Sequence, residues 1–194
     1  IEFLFERLKN KEKFSFSKYA DGEFAILANQ KITNVDNWTY DPEKHSEMRD
    51  ELISSFKFKD KDYYVGVSCK CCQPETHVNW MREQSGQDIL TWANIFVNSN
   101  YPYFTEKFIP EFSNHKVVLF AREDSSYKKR SNWDDNFLFL FCAGPLGNML
   151  AAKFWERNKN NTYLDIGSTL NPYLTETNRG YLRGGNTQLK TCIW

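Results

Sequence analysis

The sequence predicts an α/β fold, a mostly parallel Rossmann-like sheet with helices on both faces. Three observations carry that expectation. Short β-branched or aromatic runs are followed by turn residues and then by polar-apolar stretches of helical period, the rhythm of βαβ units. Two of those runs, VVLFA and FLFLFCA, are nearly continuous in apolar residues, as strands covered on both faces are. The 194 residues, 41% hydrophobic and 16% aromatic, suffice for one buried core, and no repeat, low-complexity tract or Pro/Gly/Ser linker divides them.

In chain order, a first helix is expected over Glu2 to Lys9 and a strand over Phe14 to Tyr19, which runs through a turn into a helix over Glu23 to Asn29. A helix over Pro42 to Phe56 then leads to a strand over Tyr63 to Ser68 and a helix over Asp88 to Val97. Strands over Lys116 to Ala121 and Phe137 to Ala143 follow, the two apolar runs, and are expected in the centre of the sheet. The helix over Leu146 to Asn158 places Leu146, Met149, Leu150 and Phe154 at spacings of three and four, with Lys153, Glu156 and Arg157 on the wet side, so one face should pack on the sheet. A strand over Tyr163 to Ile166 closes the series. Ligands of open α/β sheets bind beyond the carboxyl ends of the strands, so the chemistry is sought in the loops there.

Composition removes several classes of function. Lys+Arg and Asp+Glu are both 25, and this balance disfavours a nucleic-acid partner whose affinity comes from neutralising many phosphates. The apolar stretches fall far short of the roughly 20 residues that cross a bilayer, so no membrane span is expected. Five cysteines, three of them in CKCC (Cys69, Cys71, Cys72), read as reduced thiols in a cytosol-like, cytoplasmic compartment. Zinc-ligand types occur there with His77, but the CxCC spacing is not the usual CxxC knuckle and no second pair follows. No GxSxG elbow or cysteine-protease signature accompanies His45, His77 and His115. The run Lys128-Lys129-Arg130 with Trp133, and Arg179 and Arg183, read as solvated loops or as contacts to a phosphate-bearing or sugar partner.

Three segments carry chemistry. In Ser17-Lys18-Tyr19-Ala20-Asp21-Gly22-Glu23 a strand ends in two carboxylates two residues apart, with an intervening glycine that leaves room for a ligand. Hard divalent ions use one or two carboxylates and let substrate phosphates complete the shell, so Asp21 and Glu23 are candidate ligands of Mn²⁺ or Mg²⁺ on a diphosphate, with Lys18 as a further cation. The plainer role is helix capping, Asp21 as N-cap and Glu23 in the first turn, which typically contributes about 1 kcal/mol. In Cys142-Ala143-Gly144-Pro145-Leu146-Gly147 a strand enters a helix through a glycine turn, which suits either an ordinary tight connection or a phosphate or nucleoside site. In Tyr163-Leu164-Asp165-Ile166-Gly167-Ser168 an acid interrupts an apolar strand, so Asp165 faces a ligand, a cation or a backbone turn.

Taken together, FSKYADGEF, CAGPLGNMLA and YLDIGS resemble, in the family's order and from about Phe14 to Tyr173, the GT-D-fold glycosyltransferases, long catalogued as a domain of unknown function. Asp21, Gly22 and Glu23 match the family's Asp-x-Glu, associated with the divalent ion and the sugar-nucleotide diphosphate. Lys18 stands where Arg is usual and keeps the charge without the bidentate fork, and Ala20 replaces Gly. Gly144 and Pro145 match the Gly-Pro turn, and Asp165, Ile166 and Gly167 the Asp-Ile-Gly strand, after which this chain has Ser168 where the family continues with His.

The resemblance implies a single glycosyltransferase-like domain over residues 1–194, complete or one module of a longer chain. It would transfer a sugar from a nucleotide-diphosphate donor, UDP-linked in the first instance, to a hydroxyl of a glycan or glycoconjugate acceptor, with Mn²⁺ or Mg²⁺. Asp21 and Glu23 are the implied metal ligands. Lys18, Gly22, Gly144, Pro145, Asp165 and Gly167 are the implied nucleotide-sugar contacts. Asp165, or Glu23 if Asp21 alone holds the ion, is the candidate base for the acceptor hydroxyl. The competing reading is a non-catalytic module that binds nucleotides or glycans through its aromatic residues.

Overall fold

The structure is a computed structural model, and it describes residues 1–34, 38–88, 90–121, 135–174 and 182. Among the described residues six strands form one sheet in the order β5-β4-β1-β8-β7-β6, and every pairing in it is parallel. They are β1 (Ser15–Tyr19), β4 (Tyr63–Val67), β5 (Leu90–Trp92), β6 (Lys116–Phe120), β7 (Phe137–Phe141) and β8 (Thr162–Asp165). A separate antiparallel pair, β2 (Ile32–Thr33) and β3 (Thr39–Tyr40), stands apart from the sheet.

The helices are α1 (Glu2–Lys9), α2 (Asp21–Leu27), α3 (Ser46–Lys57), α4 (Glu75–Ser85), α7 (Pro145–Arg157) and the short α8 (Asn171–Leu174). Between β5 and β6 a helical segment joins α5 (Tyr101–Tyr103), a π-type turn (Phe104–Phe108) and α6 (Ile109–Phe112). The predicted α/β architecture with helices on both faces is therefore present.

The alternation of β1 assigns its two faces. Ser15 Oγ donates to the Ala151 carbonyl of α7 (3.2 Å) and Tyr19 Oη pairs with Ser55 of α3 (3.0 Å), so α3 and α7 cover one face. Phe14 and Phe16 point the other way, where Phe16 meets Phe96 edge-on at 5.5 Å and Phe96, Phe104 and Phe108 form a buried aromatic layer with Phe5 of α1. The small Ser15 and Ser17 let α7 lie close over the sheet's middle.

Three expectations need correction. β6, read as central, is an edge strand among the described residues, and its Val117 is 38% exposed. Its apolar run is less buried than those of β7 and β8, and among the described residues β7 is the one strand that pairs with it. The inward face of α7 is Gly147, Asn148, Ala151, Ala152 and Trp155, while Leu146 is 51% exposed and Met149, Leu150 and Phe154 are half-buried. Small residues permit close approach to β1 and β8, and the larger apolar ones flank that contact line, with Phe154 against Phe120, Phe139 and Phe141. The helix expected over 88–97 is instead β5 followed by turns, since Leu90–Trp92 pairs with Val65–Val67. The remaining predicted helices and strands agree within a few residues, and α4, the α5–α6 segment, α8 and the β2–β3 pair have no counterpart among the expected elements.

Candidate functional site

The carboxyl ends of β1, β8 and β7 lie side by side, and each of the three motifs occupies one of them. Register fixes this: Phe16 pairs with Leu164, and Phe141 with Asp165. The first motif, more than a hundred residues before the other two in sequence, thus forms one floor with them.

Asp165 is the central polar group of that floor. It is 2% exposed; its Oδ2 accepts the Lys18 amide and its Oδ1 the Gly167 amide, both at 3.1 Å. Burial pushes its carboxyl up to about 7, against the pull of Lys18 and with Glu23 adding to the rise. Asn148, on the first turns of α7, donates to Ser17 Oγ (3.1 Å) and to the Lys18 carbonyl, so both sides of the Lys18 backbone are held. Gly167 has φ 55°, and a side chain there would collide with the Lys18 stem. Lys18 is thereby laid across the β8 turn, close enough to act electrostatically on Glu23, Asp165 and Cys142.

The β1–α2 turn places the two DGE carboxylates differently. Ala20 is the N-cap of α2, and Asp21 is its first residue and exposed. Glu23 reaches back to accept the Ala20 amide at 2.8 Å and is 6% exposed, so the capping role expected of Asp21 belongs to Glu23. Burial raises the Glu23 carboxyl pKa, with Lys18 opposing the rise. Gly144 is the N-cap of α7 with φ 55°, followed by Pro145 at the first position, as the sequence suggested.

Trp38 is a site residue that sequence reasoning missed. A Cβ on Gly22 would lie 2.9 Å from the Trp38 six-membered ring, and one on Gly144 would lie 3.3 Å from its Nε1. The half-buried indole therefore spans the starts of α2 and α7. It is held there by the β2–β3 pair, where the Asn34 amide donates to the Trp38 carbonyl (2.8 Å) and Tyr40 Oη donates to Asn29 at the end of α2 (2.8 Å). The available signal is a pair of aromatics, Trp38 and Tyr40, in a polar stretch soon after the DGE motif. The basic run 128–130, Trp133, Arg179 and Arg183 lie outside the described residues.

A hard divalent ion fits this arrangement. Burial raises both the Glu23 and the Asp165 carboxyl; the Asp21 charge adds to the rise at Glu23 and the Glu23 charge to that at Asp165, a repulsion that a cation relieves, and the exposed Asp21 begins the same helix as Glu23. Two helices, α2 and α7, begin directly after the ends of β1 and β7, and backbone N–H groups at such starts, with the Lys18 charge, favour an anion.

The state of Asp165 predicts a pH dependence of stability. In the unfolded chain this carboxyl ionises near the ordinary value of about 4, whereas in the folded chain it holds its proton to about 7. Between these values the folded state binds more protons, so stability falls as pH rises, by roughly a few kcal/mol in this contribution. Thermal melts of the wild type and Asp165→Asn across that range should converge in slope only above about pH 7, the wild type falling more steeply below it. Parallel curves throughout would contradict the assignment.

No protein-family model matches the chain. Among curated proteins, a lacticin 481/lactococcin biosynthesis protein, LcnDR2, of Lactococcus lactis subsp. lactis is 25% identical over a 201-residue alignment. That alignment takes in 95% of this chain and 19% of the relative, so the chain spans about a fifth of the relative's length. Among solved structures, a selenomethionine-substituted structure of the domain of unknown function 1792 superposes with a TM-score of 0.58 at 13% identity. A second structure of that domain, described as having a distinct glycosyltransferase fold, gives 0.56 at 12% identity. Each covers 87% of this chain and 77% of the other. The chain thus has this glycosyltransferase fold, the one that the three sequence motifs resemble.

Proposed function

We propose that the protein is a metal-dependent glycosyltransferase that moves a sugar from a nucleotide-diphosphate donor to an acceptor hydroxyl. The observation that supports it most is the meeting of the three motifs at adjacent strand ends, which brings Asp21 and Glu23 of the β1 end, Lys18, Asp165 and the start of α7 together. A module that only binds glycans has no need of buried carboxyls with raised proton affinity at that point.

In this reading the donor diphosphate lies at the start of α7, above Gly144 and Pro145, with the Lys18 ammonium beside it. Asp21 and Glu23 are the residues that would hold Mn²⁺ or Mg²⁺, which when bound supplies charge neutralisation for the departing nucleoside diphosphate. The reaction breaks the bond between the anomeric carbon and the diphosphate oxygen and forms one to the acceptor oxygen. The acceptor's proton leaves to a carboxylate. If Asp21 alone holds the ion, Glu23 is the candidate base, since Asp165 gives both oxygens to backbone amides beneath the surface. Asp165 acts as a positioning residue, fixing the backbone of Lys18 and Gly167. The acceptor is a glycan or glycoconjugate hydroxyl, and a UDP-linked sugar is the first donor to try.

Trp38 offers the flat face on which a nucleobase or sugar ring stacks. Stacking on an aromatic ring contributes about 1–3 kcal/mol per base, so Trp38→Ala should weaken donor binding by roughly tenfold or more. Calorimetric titration with the nucleotide sugar checks it, and unchanged affinity removes Trp38 from the site.

Turnover tests the reading. The chain is incubated with a panel of nucleotide sugars and simple glycoside acceptors, with Mn²⁺, Mg²⁺ or EDTA, and released nucleoside diphosphate and product mass are followed. Metal-dependent release from one donor, with a glycosylated product, is expected. Donor binding indifferent to EDTA with no release would indicate the binding module.

A further inference from the structure

A second cluster of metal-ligating side chains lies one strand away from the carboxylate site. Between β4 and α4 the chain turns tightly, the amides of Cys72 and Gln73 both donating to the Cys69 carbonyl at 3.0 Å. The turn gathers Cys69, Cys71 and Cys72 so that their Sγ atoms all lie within 4.8 Å of one another. Cys69 and Cys71 are 2.7 Å apart, and Cys71 and Cys72 3.8 Å. Cys69 is buried, Cys72 half-buried and Cys71 exposed, so the group opens to solvent on one side. Asn98, 8% exposed and held at φ 56°, points its amide at Cys72 Sγ from 3.8 Å.

We propose that Cys69, Cys71 and Cys72 form a three-thiolate site for a soft divalent ion of the zinc class, with a fourth position open to solvent. Zinc–sulfur bonds of about 2.3 Å place tetrahedral thiolates about 3.8 Å apart. Cys71 and Cys72 already have that separation. Cys69 and Cys71 must open by about 1 Å, which rotation of the exposed Cys71 side chain permits. Thiolates select zinc-class ions, whereas the oxygen set of Asp21 and Glu23 selects Mn²⁺ or Mg²⁺, so the two sites do not compete. Binding exchanges three thiol protons for one divalent ion and leaves one net negative charge, which the Asn98 amide is placed to stabilise. His77 is not part of the set: its ring stacks on Phe24 of α2 at 4.1 Å. The ion would instead clamp the entry to α4, whose packing on α2 runs through that stack. This inference is independent of the transferase reading.

Cadmium serves as the spectroscopic probe. The reduced chain, kept in a phosphine reductant, is titrated with Cd²⁺ while the ultraviolet thiolate-to-metal band and the thiols still open to modification are followed. One ion per chain is expected, with the band intensity of three thiolates, three thiols protected and displacement by Zn²⁺. Cys71→Ser and Cys72→Ser, at positions not fully buried, should each lose about a third of the band and bind at least about tenfold more weakly. Asp21→Ala should leave the band unchanged. No band, a band of one thiolate, or a Cys69–Cys71 disulfide that persists in the reductant and blocks binding would each overturn the proposal.

Discussion

Asp21→Ala is expected to lower metal-dependent sugar transfer by at least about a hundredfold while leaving the melting temperature nearly unchanged. Asp21 is exposed at the first position of α2, so its removal deletes a carboxylate without opening a cavity. The helix cap does not depend on it, because Glu23 makes that bond. What is lost is a negative charge at the point where a cation bridges protein and diphosphate, and removing one such electrostatic group commonly costs a factor of about 10²–10³. Steady-state turnover at saturating metal checks this, with Asp21→Asn recovering less than a tenth of the wild-type rate. Full activity in Asp21→Ala would remove the residue from the machinery.

Gly167→Ala is expected to destabilise the chain by about 2–3 kcal/mol and to weaken donor binding as well. The residue sits at φ 55°, and the new methyl would meet the Lys18 stem at once. Left-handed strain for a non-glycine residue costs about 1–3 kcal/mol, and the collision adds to it. In a chain of this size that corresponds to a fall of roughly 4–12 °C in melting temperature. The Lys18 side chain is the part able to move, so its ammonium leaves the place that the Asp165 and Asn148 contacts prepare. Lys18→Ala isolates this effect: it should lose donor affinity without the full loss of stability. Equal melting temperatures for Gly167→Ala and wild type would contradict the geometry.

What the sequence reveals follows from the range of the physics involved. β1, β7 and β8, and the turns that follow them, were readable because a buried parallel strand is written as a local apolar run and a glycine turn as a dipeptide. Sheet order is not local. β6 and β7 have the same apolar character, yet among the described residues one is an edge and the other is paired on both sides, a difference set by β8, which follows both in the chain. The inward face of α7 was misread for a related reason. Periodicity weighs large apolar residues, but the contact with β1 needed small ones.

The site shows the same division. That Asp165 needed a partner was visible from an acid within an apolar strand, but its partners, the amides of Lys18 and Gly167, come from two chain segments. That Glu23 rather than Asp21 caps α2 depends on the extended Ala20 backbone. Trp38 reaches the site only because the β2–β3 pair folds back over α2, and that two-residue pairing left no alternation long enough to recognise. The CKCC thiols converge through a turn whose two amides share one carbonyl, which spacing alone did not show.

The central claim, that a nucleotide sugar and a hard cation meet at the ends of β1, β7 and β8, is tested most directly by thermal shift. The chain is melted with nucleoside diphosphates and their sugar conjugates in Mn²⁺, Mg²⁺ or EDTA. A donor at about a hundred times its dissociation constant should stabilise the native state by about 2.7 kcal/mol. The account predicts a shift with one nucleotide sugar that EDTA abolishes and that Asp21→Ala and Lys18→Ala each reduce. A shift equally large in EDTA and in both variants, or none across the panel, would contradict it.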